Sequence, residues 1–254
     1  MVLTVPGSYA HYTLGCRCLD GLPDRLRERL LKNGDMFFSG LHGPDIFFYY
    51  RPMLPNRIAK SGQVIHGEDP KEFIACGKYL IRHTGSRDVR EKEFAYLCGF
   101  LCHYYLDSIC HSFISRRSRY FSFYHYRIER AFDIRLMSLY SSCNAAYPHN
   151  YHDLPDMRDC AVIAGFYPEV TPKQIRSAVR GHRLYCSVNS FIERVTGLHS
   201  RENRRIAADT DELEALFEIS LNRSIKGIIS LEKYIFSDMP VSLRFKRDFK
   251  GRQR

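Results

Sequence analysis

The chain has 254 residues, of which 44% are hydrophobic and 13% aromatic. That supplies a substantial core and excludes a disordered or low-complexity chain; the length fits one large domain or two small ones. A formal charge of +10 favours anionic partners, namely nucleic acid, phospholipid surfaces or phosphorylated small molecules, without choosing among them.

No apolar run reaches the length of a membrane-spanning helix. The opening "MVLTVPGSYAHYTLG" lacks a basic segment followed by a long apolar one, so it does not read as a signal peptide and a cytoplasmic location is expected. The nine cysteines are odd in number and scattered. They read as reduced thiols that pack as small hydrophobes. Cys98, Cys102 and Cys110 share a segment with candidate ligands, and core filling or a spare ligand position both fit them.

Helical periodicity dominates. "PDRLRERLLKNG" (23–34) carries Pro in its first turn and Gly as a stop. Loops are expected near 34–45 and 50–68. Between 69 and 85, "DPKEFIACGKYLIRHTG" predicts a helix capped by Asp69 and ended by Gly85. From Val89 to about Ile114 one long helix is predicted, apolar nearly all round in its middle, as a central buried helix would be. After a turn at 115–121 comes a second strong pattern, 121–141. A loop at 142–158 precedes helices at 171–197 and 203–236, separated by another loop at 197–203. The run "RFKRDFKGRQR" (244–254) reads as a solvated, frayed tail. Strand patterns are scarce. The expectation is all-α: one domain over 1–254, a helical bundle with a metal-site half at 9–141, a helical C-terminal half at 158–237 and a basic tail at 240–254.

The chemistry concentrates in "HYYLDSICH" (103–111), which spaces His103, Asp107 and His111 four apart. On a helix they form a ladder down one face. Burying two imidazoles and a carboxylate is costly unless they bond one another or share a cation. The next helix adds His125 and Glu129, again four apart, with Asp133 extending the row. Two antiparallel helices that both project histidine and carboxylate inward can build a metal cluster. Upstream, Asp45 follows Gly-Pro, His66 precedes the capped helix at 69, and His11 lies near the start. Taken singly, each of these also fits ordinary packing.

The order of these elements, with "GPD", "IHGEDPKEF", HxxxDxxxH in "CHYYLDSICH" and HxxxE in "HYRIE", resembles the zinc-dependent phospholipase C family over about residues 9–135. That family is related to zinc-dependent all-α nucleases that cut single strands. The resemblance implies two or three zinc ions, with other divalent metals as alternatives. Asp45, His66, His103 and Asp107 would hold one, and His111, His125 and Glu129 a second. His11 would hold a third with Asp107 bridging. In secreted members the third metal also takes the free amino terminus, whereas ten residues precede His11 here. The gap from Asp107 to His111 is shorter than in those members.

The implied activity is phosphodiester hydrolysis on a phospholipid or small phosphodiester, with peripheral contact to a membrane surface. In-line attack at phosphorus needs clustered cations, positioned water and little else; Asp45 is the candidate proton acceptor. The alternatives are a nuclease sharing the cluster, and a metal-stabilised binding protein without turnover. Asp133 reads either as a group orienting a ligand imidazole or as a cap or ion-pair partner. Nearby aromatics, among them Phe47, Tyr49, Tyr104 and Phe123, read as core or as a pocket for acyl chains or bases. Arg116, Arg117 and Arg119 read as a solvated turn or as a phosphate guide.

Overall fold

The structure is a computed structural model that describes residues 8–119, 122–146, 155–196, 204–237 and 245–253. In chain order its α-helices are α1 (Ser8–Gly21), α2 (Asp24–Leu31), α3 (Gly34–Gly40), α4 (Arg57–Ile65), α5 (Pro70–His83), α6 (Arg87–Arg117), α7 (Ser122–Ala146), α8 (Met157–Gly165), α9 (Pro172–Thr196) and α10 (Arg204–Phe236). A 3₁₀ helix, Gly43–Tyr49, lies between α3 and α4. Among the described residues there is no strand, only an isolated bridge between Arg247 and Gln253. The architecture is all-α, as the periodicity predicts.

Local chemistry sets several helix starts. Asn56 accepts from the Ala59 amide at 2.9 Å and opens α4. Asp69 accepts from the Lys71 amide at 3.0 Å, with Pro70 in the first turn of α5 where its missing N–H costs nothing. Asp156 caps α8 in the same way, accepting from the Asp159 amide at 2.7 Å.

α6 runs through the middle of the bundle, with buried side chains on all sides between Glu93 and Ile114. α3 and α10 lie along it, and α1, α5, α7 and α8 also pack on it. The fit against α3 is backbone to backbone. A Cβ on Gly99 would lie 2.0 Å from the Phe37 carbonyl oxygen, so only glycine permits the approach.

Several sequence expectations give way. Residues 34–45 and 50–68 are not plain loops, because α3, the 3₁₀ helix and α4 fall within them. Each is two turns or so, too short for a 3.6-residue period to register, and packing rather than propensity forms it. α1 was hidden for a related reason: its residues 10–16 are all buried, so no amphipathic stripe marks it. The basic tail is not frayed over 245–253. Phe249 is 1% exposed, Asp248 is buried, and the Tyr104 hydroxyl donates to the Arg247 carbonyl at 2.8 Å. The expected loop at 142–158 is helical at both ends, since α7 runs on to Ala146 and α8 opens at Met157; its residues 147–154, and the expected loop at 197–203, lie outside the described residues.

Candidate metal centre

Asp107 is the hub. It projects from the middle of α6 and is 2% exposed. Its Oδ1 lies 3.3 Å from His11 Nε2 of α1 and 3.4 Å from His111 Nε2 one turn on. Its Oδ2 lies 3.3 Å from His103 Nε2 one turn back and 3.9 Å from His66 Nε2, which follows α4. His66 Nε2 is also 2.8 Å from Asp45 Oδ1 in the 3₁₀ helix.

Two sets of side chains bring ligand-type atoms within 4.8 Å of one another: His11, Asp45, His103 and Asp107, all buried; and His111, His125 and Glu129. The second set coincides with the trio the resemblance assigns to one ion. The first departs from the implied division, because His11 joins Asp45, His103 and Asp107, its ring stacked on that of His103 at 4.5 Å. His66 stands beside the set, against Asp45.

Backbone carbonyls orient the rings. His103 Nδ1 donates to the Leu41 carbonyl at 3.1 Å, and His66 Nδ1 donates to the Gly62 carbonyl at 2.6 Å. With the hydrogen on Nδ1, the His103 Nε2 presents its lone pair to the carboxylates, which is how ligating histidines are held, while the His66 Nε2 pairs with Asp45. Gly43 makes room. It sits at φ +51°, and a Cβ there would come within 2.3 Å of the His103 ring. In the second set His125 Nδ1 meets Ser118 Oγ at 3.2 Å, and its Nε2 lies 2.9 Å from Glu129 Oε1.

The electrostatics fit a cation. His103 Nε2 and Asp107 Oδ2 are both buried and neither has a hydrogen-bond partner. Burial, only partly offset by Asp107, pushes the His103 imidazole down to about 4, so near neutral pH no proton fills the gap. Two bare acceptors facing each other in the interior repel unless a positive ion lies between them. Asp107 itself is held well below the usual carboxylate range: burial works to raise it, and His103 and His111 overcome that. His111 goes the other way. Burial lowers it, but the Asp107 charge raises it to about 9. His66 is likewise raised, the pull of Asp45 outweighing burial.

Other expectations resolve here. Asp133 accepts from the Ala10 amide at 2.9 Å, so it caps the first turn of α1 and steadies His11 through the backbone. Burial pushes its carboxyl up to about 7. Cys110 is pushed up to about 12 by burial, which keeps it a thiol and makes it core. Cys98 and Cys102 are buried and free as well. Arg117 pairs with Asp209 at 2.6 Å and is not a free phosphate guide; Arg116 and Arg119 are exposed. Phe47, Tyr49 and Tyr104 are core. The Phe123 side chain lies outside the described residues.

Sequence reasoning missed Phe249, whose ring lies 5.4 Å from His66 and 5.9 Å from His103. A lone aromatic in a basic run carries no periodic signal. Also missed were the carbonyls of Leu41 and Gly62, which no side-chain pattern reveals.

Among the described residues no helix is long and apolar enough to cross a membrane. No curated protein and no solved structure matches the chain. A family model described as zinc dependent phospholipase C matches residues 10–201, a span that contains all eight candidate ligands; the chain belongs to that family.

Proposed function

We propose that the protein is a zinc-dependent hydrolase of phosphodiesters that acts on a phospholipid at the bond between phosphorus and the glycerol oxygen. The observation that carries this is Asp107, which belongs to the first ligand set, reaches His111 of the second through Oδ1, and turns its unpartnered Oδ2 to the bare Nε2 of His103. A closed structural zinc site is usually a single four-coordinate cage. Two adjoining sets linked by one carboxylate, Asp107 of the first lying 3.4 Å from His111 of the second, are instead an arrangement that suits phosphoryl chemistry.

The residues that would hold the ions are His11, Asp45, His66, His103 and Asp107 on one side and His111, His125 and Glu129 on the other. Two ions would match the two sets, and a third would draw His11, with Asp107 bridging, out of the first. Zinc, when bound, supplies a Lewis acid for the phosphoryl oxygens and an acidified water as nucleophile. Asp45 would accept the proton of that water as its oxygen attacks phosphorus. The glycerol oxygen leaves with the bonding pair and takes up a proton from solvent. Burial of the acids and imidazoles keeps the local dielectric low, so charge on the phosphoryl oxygens is stabilised more than in water. The family match favours a phospholipid over nucleic acid as substrate.

The test is metal analysis of the purified protein alongside hydrolysis of phosphatidylcholine, bis-p-nitrophenyl phosphate and single-stranded DNA. The expected result is bound zinc, release of diacylglycerol from phosphatidylcholine, loss of that release on chelation and its return with zinc. Protein that takes up zinc but turns over none of the three overturns the hydrolase reading. Preference for DNA would move it to the nuclease.

A further inference from the structure

The connection between the 3₁₀ helix and α4 reads "RPMLP", residues 51–55, and every one of them is exposed. Met53 is 91% and Leu54 63% exposed, although neither residue type gains anything from water. The segment is built rather than slack. Arg51 holds a left-handed φ of +47°, uncommon for a residue with a side chain. Such a conformation persists only where its surroundings over-determine it. Here Asn56 does so: its Nδ2 donates to the Tyr50 carbonyl at 2.9 Å and to the Leu54 carbonyl at 3.0 Å, while the Leu54 amide donates to the Arg51 carbonyl at 3.0 Å. Pro52 and Pro55 stiffen the turn further. The fold thus fixes two apolar side chains outward at a loop tip.

The turn is also charged. Basic groups border it: Arg51, Arg57 and Lys60 are exposed. Apolar tips ringed by cations suit a surface that is apolar inside and anionic outside. A second copy of the chain would set these cations, on a protein of net charge +10, against their equals.

We infer that the 51–55 turn is an interfacial anchor that inserts Met53 and Leu54 into an anionic phospholipid bilayer, with Arg51, Arg57 and Lys60 at the headgroups. This rests on the reading of a phospholipid substrate given above and adds how the enzyme meets it. The anchor joins the helix bearing Asp45 to the helix that ends at His66. α4 has nine residues, roughly 14 Å at 1.5 Å each, so a seated anchor brings the metal centre within about one short helix of the interface.

The chain contains no tryptophan, so Met53→Trp adds a single fluorescent reporter. With vesicles of phosphatidylcholine and phosphatidylglycerol, its emission is expected to shift to the blue, and the protein to float with the vesicles, less so as salt rises. The double variant Met53→Asp, Leu54→Asp is expected to bind these vesicles at least about tenfold more weakly, with unchanged thermal midpoint and unchanged hydrolysis of bis-p-nitrophenyl phosphate. Water-like emission with vesicles present, or a double variant that floats as well as the parent, overturns the anchor. So does a change in sedimentation of the double variant without lipid, which would mean that a second copy covers the loop. Loop-dependent vesicle binding with no phosphodiester hydrolysed would support the anchor and sink the hydrolase reading; hydrolysis of the soluble ester with no vesicle binding would do the reverse.

Discussion

At the scale of the residue, Asp107 concentrates the function. Four imidazoles approach one buried carboxylate. At His103 burial outweighs the upward pull of the Asp107 charge and the imidazole falls to about 4, whereas at His111 the same pull outweighs burial and raises it to about 9. Asp107→Asn keeps the shape but removes the shared charge. It is expected to lower zinc occupancy and to reduce kcat/KM by more than the roughly 10–100-fold that loss of an outer-shell partner costs, as read by metal analysis and steady-state kinetics. His111 predicts a proton signature. In the metal-free protein it is charged at pH values below about 9, so a metal taking its Nε2 must displace a proton. Zinc titrations in two buffers of different ionisation enthalpy are expected to report net proton release near pH 7, with affinity that climbs as pH rises toward the His111 value. Identical heats in both buffers would show that His111 keeps its proton and lies outside the site.

At the scale of the element, the centre depends on α6 as a rigid rail. Residues at 103, 107 and 111 share a face because α6 is continuous from Arg87 to Arg117. This much was legible, since intervals of four inside a long apolar segment allow few other conformations. The partner elements were less so. α3 has seven residues and the 3₁₀ helix seven, yet they deliver the Leu41 carbonyl and Asp45 to the site. Their placement depends on the Gly99 contact, which no periodicity announces. Gly99→Ala is expected to push α3 off α6 and to destabilise the protein by about 1–3 kcal/mol or more, the usual cost of overpacking, with weaker zinc binding as the Leu41 carbonyl leaves His103. Denaturant titration and metal content measure the two effects. Unchanged zinc affinity with lowered stability would mean that His103 is held without α3.

At the scale of the whole molecule, the chain closes on itself. The family model ends at residue 201, yet residues 245–253 return to α6 and seat Phe249 against the rings of His66, His103, Tyr104 and Phe100. Phe249→Ala is expected to cost about 3–5 kcal/mol, the range for a buried aromatic, seen as a lower denaturant midpoint with an unchanged slope. A cost under about 0.5 kcal/mol, typical of a surface site, would return this segment to the solvated tail that its composition implies. By itself the sequence determined the all-α class, the long central helix and the two rows of ligand-type side chains, His103, Asp107 and His111 on one helix and His125 and Glu129 on the next, because helical spacing and the expense of burying charge are local facts. Only the tertiary structure decided that His11 joins Asp45 and His103, that Asp133 caps α1, and that Phe249 comes back to the site. Those are contacts between residues far apart along the chain, fixed by how whole helices pack, and no local pattern encodes them.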